Sequence, residues 1–159
     1  MKIRIVTIGQ KMPDWVQTGF DDYFKRIQPF VQTQIVELPM ARRGKNDSDS
    51  DIQKYCIQEG ASILQTLKPQ EQLIALEVNG RHLTTEKLAS TMQQWMQDGQ
   101  DIVLAIGGPD GLSDEVRRSA KWHWSLSDLT LPHPLVRIIL IEQLYRAMSV
   151  INNHPYHRA

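Results

Sequence analysis

The sequence predicts an α/β domain, a largely parallel sheet flanked by helices. Two observations carry this. Apolar stretches of strand length alternate with segments of helical periodicity along the chain. Two of those stretches, LIALEV at 73–78 and DIVLAI at 101–106, are nearly continuous in apolar residues, as suits central parallel strands covered on both faces. At 159 residues the chain fits one domain, residues 1–159, long enough to bury a core without disulfides or a structural metal.

The elements follow in order. Residues 3–8, IRIVTI, are rich in β-branched residues and read as a strand, punctuated by Gly9 to Pro13. Trp15, Val16, Gly19, Phe20, Tyr23 and Phe24 then recur at helical spacing, predicting a helix with an aromatic face that Pro29 stops. TQIVEL at 33–38 is the second strand. The loop from Pro39 to Ser50 carries Arg42, Arg43 and Lys45 and then Asp47, Asp49 and Asp51, a pattern that usually marks a solvated, mobile surface. Ile52, Cys56, Ile63, Leu64 and Leu67 form the face of a second helix. Between the two apolar strands, Thr84 and Thr85 can cap a helix that turns Leu88, Met92, Trp95 and Met96 inward and ends near Gly99. A further short helix is capped by Ser113, and Trp122 opens a last strand.

The helix from Pro134 to Ile151 differs from the others. Pro134 suits a first helical position, and Glu142 and Arg146 can pair four residues apart. Only Arg137, Glu142, Gln143, Arg146 and Ser149 interrupt its apolar residues, so its polar stripe is too narrow for one buried face. Such a helix is either central in the core or shared with a second subunit, and a homodimer interface is the favoured expectation.

Composition narrows the function. Eighteen basic and eighteen acidic residues balance to zero, which argues against gripping bare nucleic acid by neutralising many phosphates. The single cysteine, Cys56, forms no internal bridge, and no Cys/His spacing suggests zinc, so a reducing, cytoplasmic compartment fits. No segment reaches the roughly 18–20 apolar residues of a membrane span, and MKIRIVTIG lacks the features of an export signal.

Three segments could carry chemistry. AIGGPDGLSDE, 105–115, places a glycine turn after an apolar strand, where ligands of open α/β sheets sit and where a missing Cβ lets one approach; GGPDG is also a good plain turn. It matches neither a dinucleotide fingerprint nor a P-loop. WHWSLSDLTLPHP, 122–134, breaks from a strand into alternating hydroxyls and leucines. Its freed backbone groups could read the edge of a ligand such as adenine between the walls of Leu126, Leu129 and Leu131, or it is a capped loop with buried leucines. Trp122 and Trp124 are read as core. NNHPYHR, 152–158, gathers His154, Tyr156, His157 and Arg158. Pro155 and the lack of a partnering carboxylate argue against metal, whereas Tyr156 and Arg158 suit a base and a phosphate, against the plain alternative of a frayed terminus.

In this order and near these separations, IGGPDG, SLSDLTLPHPLVR and NNHPYHR resemble the SPOUT class of S-adenosylmethionine-dependent RNA methyltransferases, and KMPDWVQTGF and RRGKN extend the resemblance over the whole chain. The resemblance implies a SPOUT-type fold with a C-terminal trefoil knot, a homodimer, and methylation of N3 of pseudouridine 1915 in the 23S rRNA of the assembled ribosome. Periodicity could not reveal a knot. Carried over by motif, Leu76, Gly107, Leu126, Ser127, Asp128, Leu129, Thr130 and Leu131 would cradle S-adenosylmethionine. His133, Tyr156, His157 and Arg158, together with Arg137, would lie near the target nucleotide. One subunit's tail would complete the partner's pocket. The NDSDSD run after Lys45 is longer than the family pattern, and the last residue given, Ala159, offers no functional side chain.

Transfer from a sulfonium chiefly requires alignment, removal of the imide proton, and donors to hold the developing charge. Arg158 and Tyr156 are candidates for positioning and charge stabilisation, and His133 or His157 for accepting the proton. Two other readings stay open, a non-catalytic ribosome-associated RNA-binding protein and a metal-free hydrolase using Ser127 and His133, although no GxSxG elbow is present.

Overall fold

A computed structural model describes residues 1–158. The expectation attached to Ala159 lies outside the described residues. Strands β1 (Lys2–Ile8), β2 (Gln32–Leu38), β3 (Glu71–His82), β4 (Asp101–Ile106) and β5 (Trp122–Ser125) alternate with helices α1 (Asp14–Ile27), α2 (Asp49–Gln65), α3 (Thr85–Gln97), α4 (Asp114–Ser119) and α5 (His133–Ile151), before a 3-10 turn over Pro155–Arg158. The strands form one sheet in the order β2-β1-β4-β3-β5, and every pairing is parallel.

Each sheet face has its own apolar layer. Ile3, Ile5, Ile74, Ile102 and Leu104 pack under α1, α3 and α5. Val6, Leu73, Ala75, Val103 and Ala105 pack under α2 and α4 with Ile63 and Val116. Of the two apolar runs expected to be central, 102–106 is buried on both faces and β4 is the middle strand, whereas in 73–78 only Leu73, Ile74 and Ala75 are buried and Val78 is exposed. Thr84 and Ser113 accept backbone N–H groups from Lys87 and Val116 as helix caps, and Ser48 with Asp51 forms a capping box for α2.

Three local expectations need correction. Trp15 is 58% exposed and outside the packed face of α1, where the expected Val16 and Phe20 are buried with Ile27, and Tyr23 and Phe24 pack against the core. Met96 also faces outward. Strand β3 outruns 73–78: Leu76 and Arg81 both pair with Trp124, so Glu77 to Gly80 loop out between them. Gly80 allows this because a Cβ there would stand 2.6 Å from the Trp124 carbonyl carbon.

Helix α5 lies between α1 and α3 on one face of the sheet, which buries Leu140, Ile141, Leu144, Ala147 and Met148 within the chain. Part of its unusual apolarity is therefore explained without a second subunit. No helix among the described residues is long and apolar enough to cross a membrane.

Candidate active site

The carboxyl ends of β3, β4 and β5 open into a cavity of about 790 Å³, within the range of small-molecule sites. Three segments build it. The glycine turn after β4 gives Gly107, Gly108 and Gly111, and the loop-out of β3 gives Glu77, Val78 and Asn79. The third wall is 126–132, which belongs to neither strand nor helix and leads from β5 at the sheet edge to α5, whose first residue meets Thr7 of β1. It therefore passes over the ends of β3 and β4, and its backbone groups stay outside any ladder.

Apolar walls come from Leu76, Ile106, Leu126, Leu129, Leu131 and Val136. A Cβ on Gly107 would stand 2.6 Å from the Gly111 carbonyl carbon, so the turn closes only because residue 107 is glycine. Behind it, the carboxylate of Glu59, 2% exposed, accepts the Ala41 N–H at 2.9 Å and pairs with Arg43, which also holds Asp110 at 3.0 Å. Of the basic cluster expected to be solvated, Arg43 is thus a strut under the glycine turn, while Arg42 and Lys45 are exposed.

The polar wall was not foreseen. Glu77 pairs with Arg117 and lies 2.6 Å from Nδ1 of His123, whose Nε2 is 3.0 Å from the Arg117 carbonyl oxygen. Nothing in the sequence signals this trio, since Glu77, Arg117 and His123 come from β3, α4 and β5 and only the tertiary fold brings them together.

At the start of α5, His133 lines the cavity and Arg137 does not. The Arg137 guanidinium donates to Glu37 at 2.7 Å, to the Gly9 carbonyl at 2.7 Å and to Nε2 of His133 at 3.2 Å. Thr7 Oγ1 lies 3.2 Å from the same nitrogen. Burial of the imidazole, followed by the charge of Arg137, holds His133 below its usual pKa; the Gly107 backbone partly opposes this. Ser127 Oγ accepts the Leu129 N–H at 3.0 Å, so Ser127 and His133 each have other partners.

Of the residues expected at a cofactor site, Leu76, Gly107, Leu126, Ser127, Leu129 and Leu131 line the cavity. Asp128 and Thr130 are exposed beside it, Asp128 pairing with His82 at 3.1 Å. Tyr156, His157 and Arg158 follow the end of α5 in a 3-10 turn, and none of the three lines the cavity. There Tyr156 donates to Glu142 at 2.9 Å, lies 3.2 Å from the Tyr23 hydroxyl, packs on Tyr145 with ring centroids 4.7 Å apart and carries the Arg146 guanidinium over its ring. Burial and these two partners raise the phenol well above its usual pKa. His157 Nδ1 is buried without a hydrogen-bond partner among the described residues, and Arg158 is exposed. Within one chain, then, the cavity and the tail do not meet.

Comparison with known proteins gives concordant results. A family model described as "Predicted SPOUT methyltransferase" matches residues 1–157. The chain is 77% identical over 159 residues, all of both chains, to "Ribosomal RNA large subunit methyltransferase H" of Acinetobacter baumannii strain ATCC 17978. It is 57% identical over 160 residues, 99% of each chain, to the protein of that name from Psychrobacter cryohalolentis. A solved structure from Haemophilus influenzae Rd KW20, described as a probable methylase family protein, superposes with a TM-score of 0.54 at 16% identity, covering 96% of this chain and 69% of the other, which bears on the fold alone.

Proposed function

The chain belongs to the SPOUT methyltransferase family, and from that premise we propose that it methylates N3 of pseudouridine 1915 in the 23S rRNA of the assembled ribosome, with S-adenosylmethionine as donor. The proposal includes a C-terminal trefoil knot, a homodimer and a cytoplasmic location. Its relatives' name, ribosomal RNA large subunit methyltransferase, supports the substrate class.

The observation that carries the reading is the construction of the cavity. A donor with an adenine, a ribose and a charged amino-acid end needs apolar walls, exposed backbone groups and a polar side. Leu126, Leu129 and Leu131, the unladdered segment 126–132, and the Glu77–Arg117 pair offer these in one space. Bound there, S-adenosylmethionine supplies a methyl group on a positively charged sulfur. The chain's task is then alignment.

The acceptor end follows from the lining of the cavity, to which Tyr156, His157 and Arg158 do not contribute within one chain. Arg158 is exposed, and a second copy of the chain could bring its tail there. Arg158 would steady the ribosomal nucleotide through charge-assisted hydrogen bonds and hold charge developing on the imide, with His157 beside it. A net charge of zero fits recognition of a composite ribosomal surface better than adhesion to bare RNA.

Nucleoside mass spectrometry of 23S rRNA from cells lacking and regaining this protein tests the reading. A methyl mass on the target pseudouridine, present only with the protein, is expected. Unchanged rRNA alongside retained ribosome binding would instead favour a non-catalytic ribosome-associated protein.

A further inference from the structure

Among the described residues, His133 is the one titratable imidazole that both lines the cavity and lies against the glycine turn, which makes it an obvious choice for the base that removes the acceptor's proton. Its hydrogen bonds point elsewhere. The Nε of Arg137 is an obligate donor, and it is directed at Nε2 of His133 at 3.2 Å. Nε2 must therefore accept, and a neutral ring carries its proton on Nδ1. An imidazolium would set an Nε2–H against the Arg137 N–H inside a buried site.

Arg137 cannot turn away to release that lone pair. Its other two nitrogens are held by Glu37 and by the Gly9 carbonyl, each at 2.7 Å, and the side chain is 2% exposed. Thr7 approaches the same imidazole nitrogen from β1. The groups facing the ring are thus Thr7, Arg137 and the Gly107 backbone, and the nearby carboxylate, Glu37, is occupied by Arg137.

We infer that His133 is a positioning residue locked as the neutral Nδ1–H tautomer, joining the Gly107 turn to the Gly9 loop through Arg137 and Glu37, and that it does not accept the acceptor's proton. The joint spans the carboxyl ends of β4, β1 and β2, elements that pack side by side but present their loops separately. The shape of the donor cavity thereby depends on Glu37, which does not line it.

The functional half of this inference rests on the methyltransferase reading, and the structural half does not, so two measurements separate them. Long-range proton–nitrogen correlation spectra of the unmodified protein, labelled with nitrogen-15 in histidine, read the tautomer directly. His133 is expected to keep Nδ1 protonated and Nε2 bare from about pH 8 to pH 6, with and without S-adenosylmethionine. An Nε2–H tautomer or an imidazolium in that range overturns the inference.

The second measurement compares His133→Asn with the unmodified protein, using calorimetry for S-adenosylmethionine and single-turnover methylation of ribosomes at saturating donor. A positioning role predicts donor affinity weakened roughly 5- to 50-fold, a transfer rate lowered by less than about tenfold, and an unchanged pH profile. A rate lowered by about 10²–10⁴ at unchanged donor affinity is the signature of a lost base and overturns the inference. If the unmodified protein does not methylate ribosomes, the proposed function fails, while the tautomer measurement still decides the structural assignment.

Discussion

Arg137 and Glu37, one hundred positions apart in sequence, meet at 2.7 Å behind His133, outside the lining of the candidate active site, with the guanidinium buried and the carboxylate about one-third exposed. Removing one partner of such a pair leaves a buried charge uncompensated. Glu37→Ala is therefore expected to lower unfolding stability by about 2–4 kcal/mol, read from urea denaturation midpoints. A change within about 0.5 kcal/mol, the range of an ordinary surface substitution, would mean that Arg137 finds solvent or another partner.

Acid should weaken the same region through His133. Its folded-state pKa lies below the unfolded value, so protonation favours the unfolded chain. The stability it contributes is complete above the unfolded pKa, about 6.5, and is lost as pH falls below that value toward the depressed one. Urea midpoints measured from pH 8 to pH 5 should decline over the acid part of this range, and the decline should be smaller in His133→Asn. Identical profiles for the two proteins would remove His133 from the explanation.

At the glycine turn, Gly107→Ala would place a methyl group against the Gly111 backbone, which has no flexible side chain to move aside. A cost of roughly 1–3 kcal/mol in stability and at least a tenfold weaker affinity for S-adenosylmethionine are expected by calorimetry. Unaltered affinity would show that the turn does not shape the donor site.

Arg158→Ala should behave in the opposite way. Arg158 is exposed and does not line the cavity of its own chain, so donor binding should be nearly intact. Loss of a charge-assisted hydrogen bond of about 1.5–3 kcal/mol would lower methylation of ribosomes roughly 10- to 100-fold. Loss of donor binding without loss of transfer at saturation would reject the assignment of the tail to the acceptor.

The alternating elements were legible because apolar runs and helical periodicity report burial directly. The caps at Thr84 and Ser113 were legible because capping is local chemistry. Three things were not. Asn79-Gly80 reads as the end of β3, yet the strand resumes beyond it because Gly80 can lie against the Trp124 backbone, a contact between distant segments. The burial of Arg137 depends on Glu37, and the half-buried placement of Arg43 on Glu59 and Asp110, none of which periodicity connects. The tail motif was recognised, but its placement was not: Tyr156 is engaged in a cluster with Tyr23, Tyr145 and Glu142 that only tertiary packing assembles.

In the proposed dimer one copy's cavity works with the other copy's tail. Mixing Gly107→Ala protein with Arg158→Ala protein, each verified as folded by circular dichroism, tests it, because subunit exchange creates pairs in which one cavity and one tail are both intact. Ribosome methylation by the equimolar mixture should rise to roughly a quarter of the unmodified rate, the share of intact sites expected for random pairing. Activity no greater than the average of the two variants measured separately would mean that cavity and tail are not shared between copies.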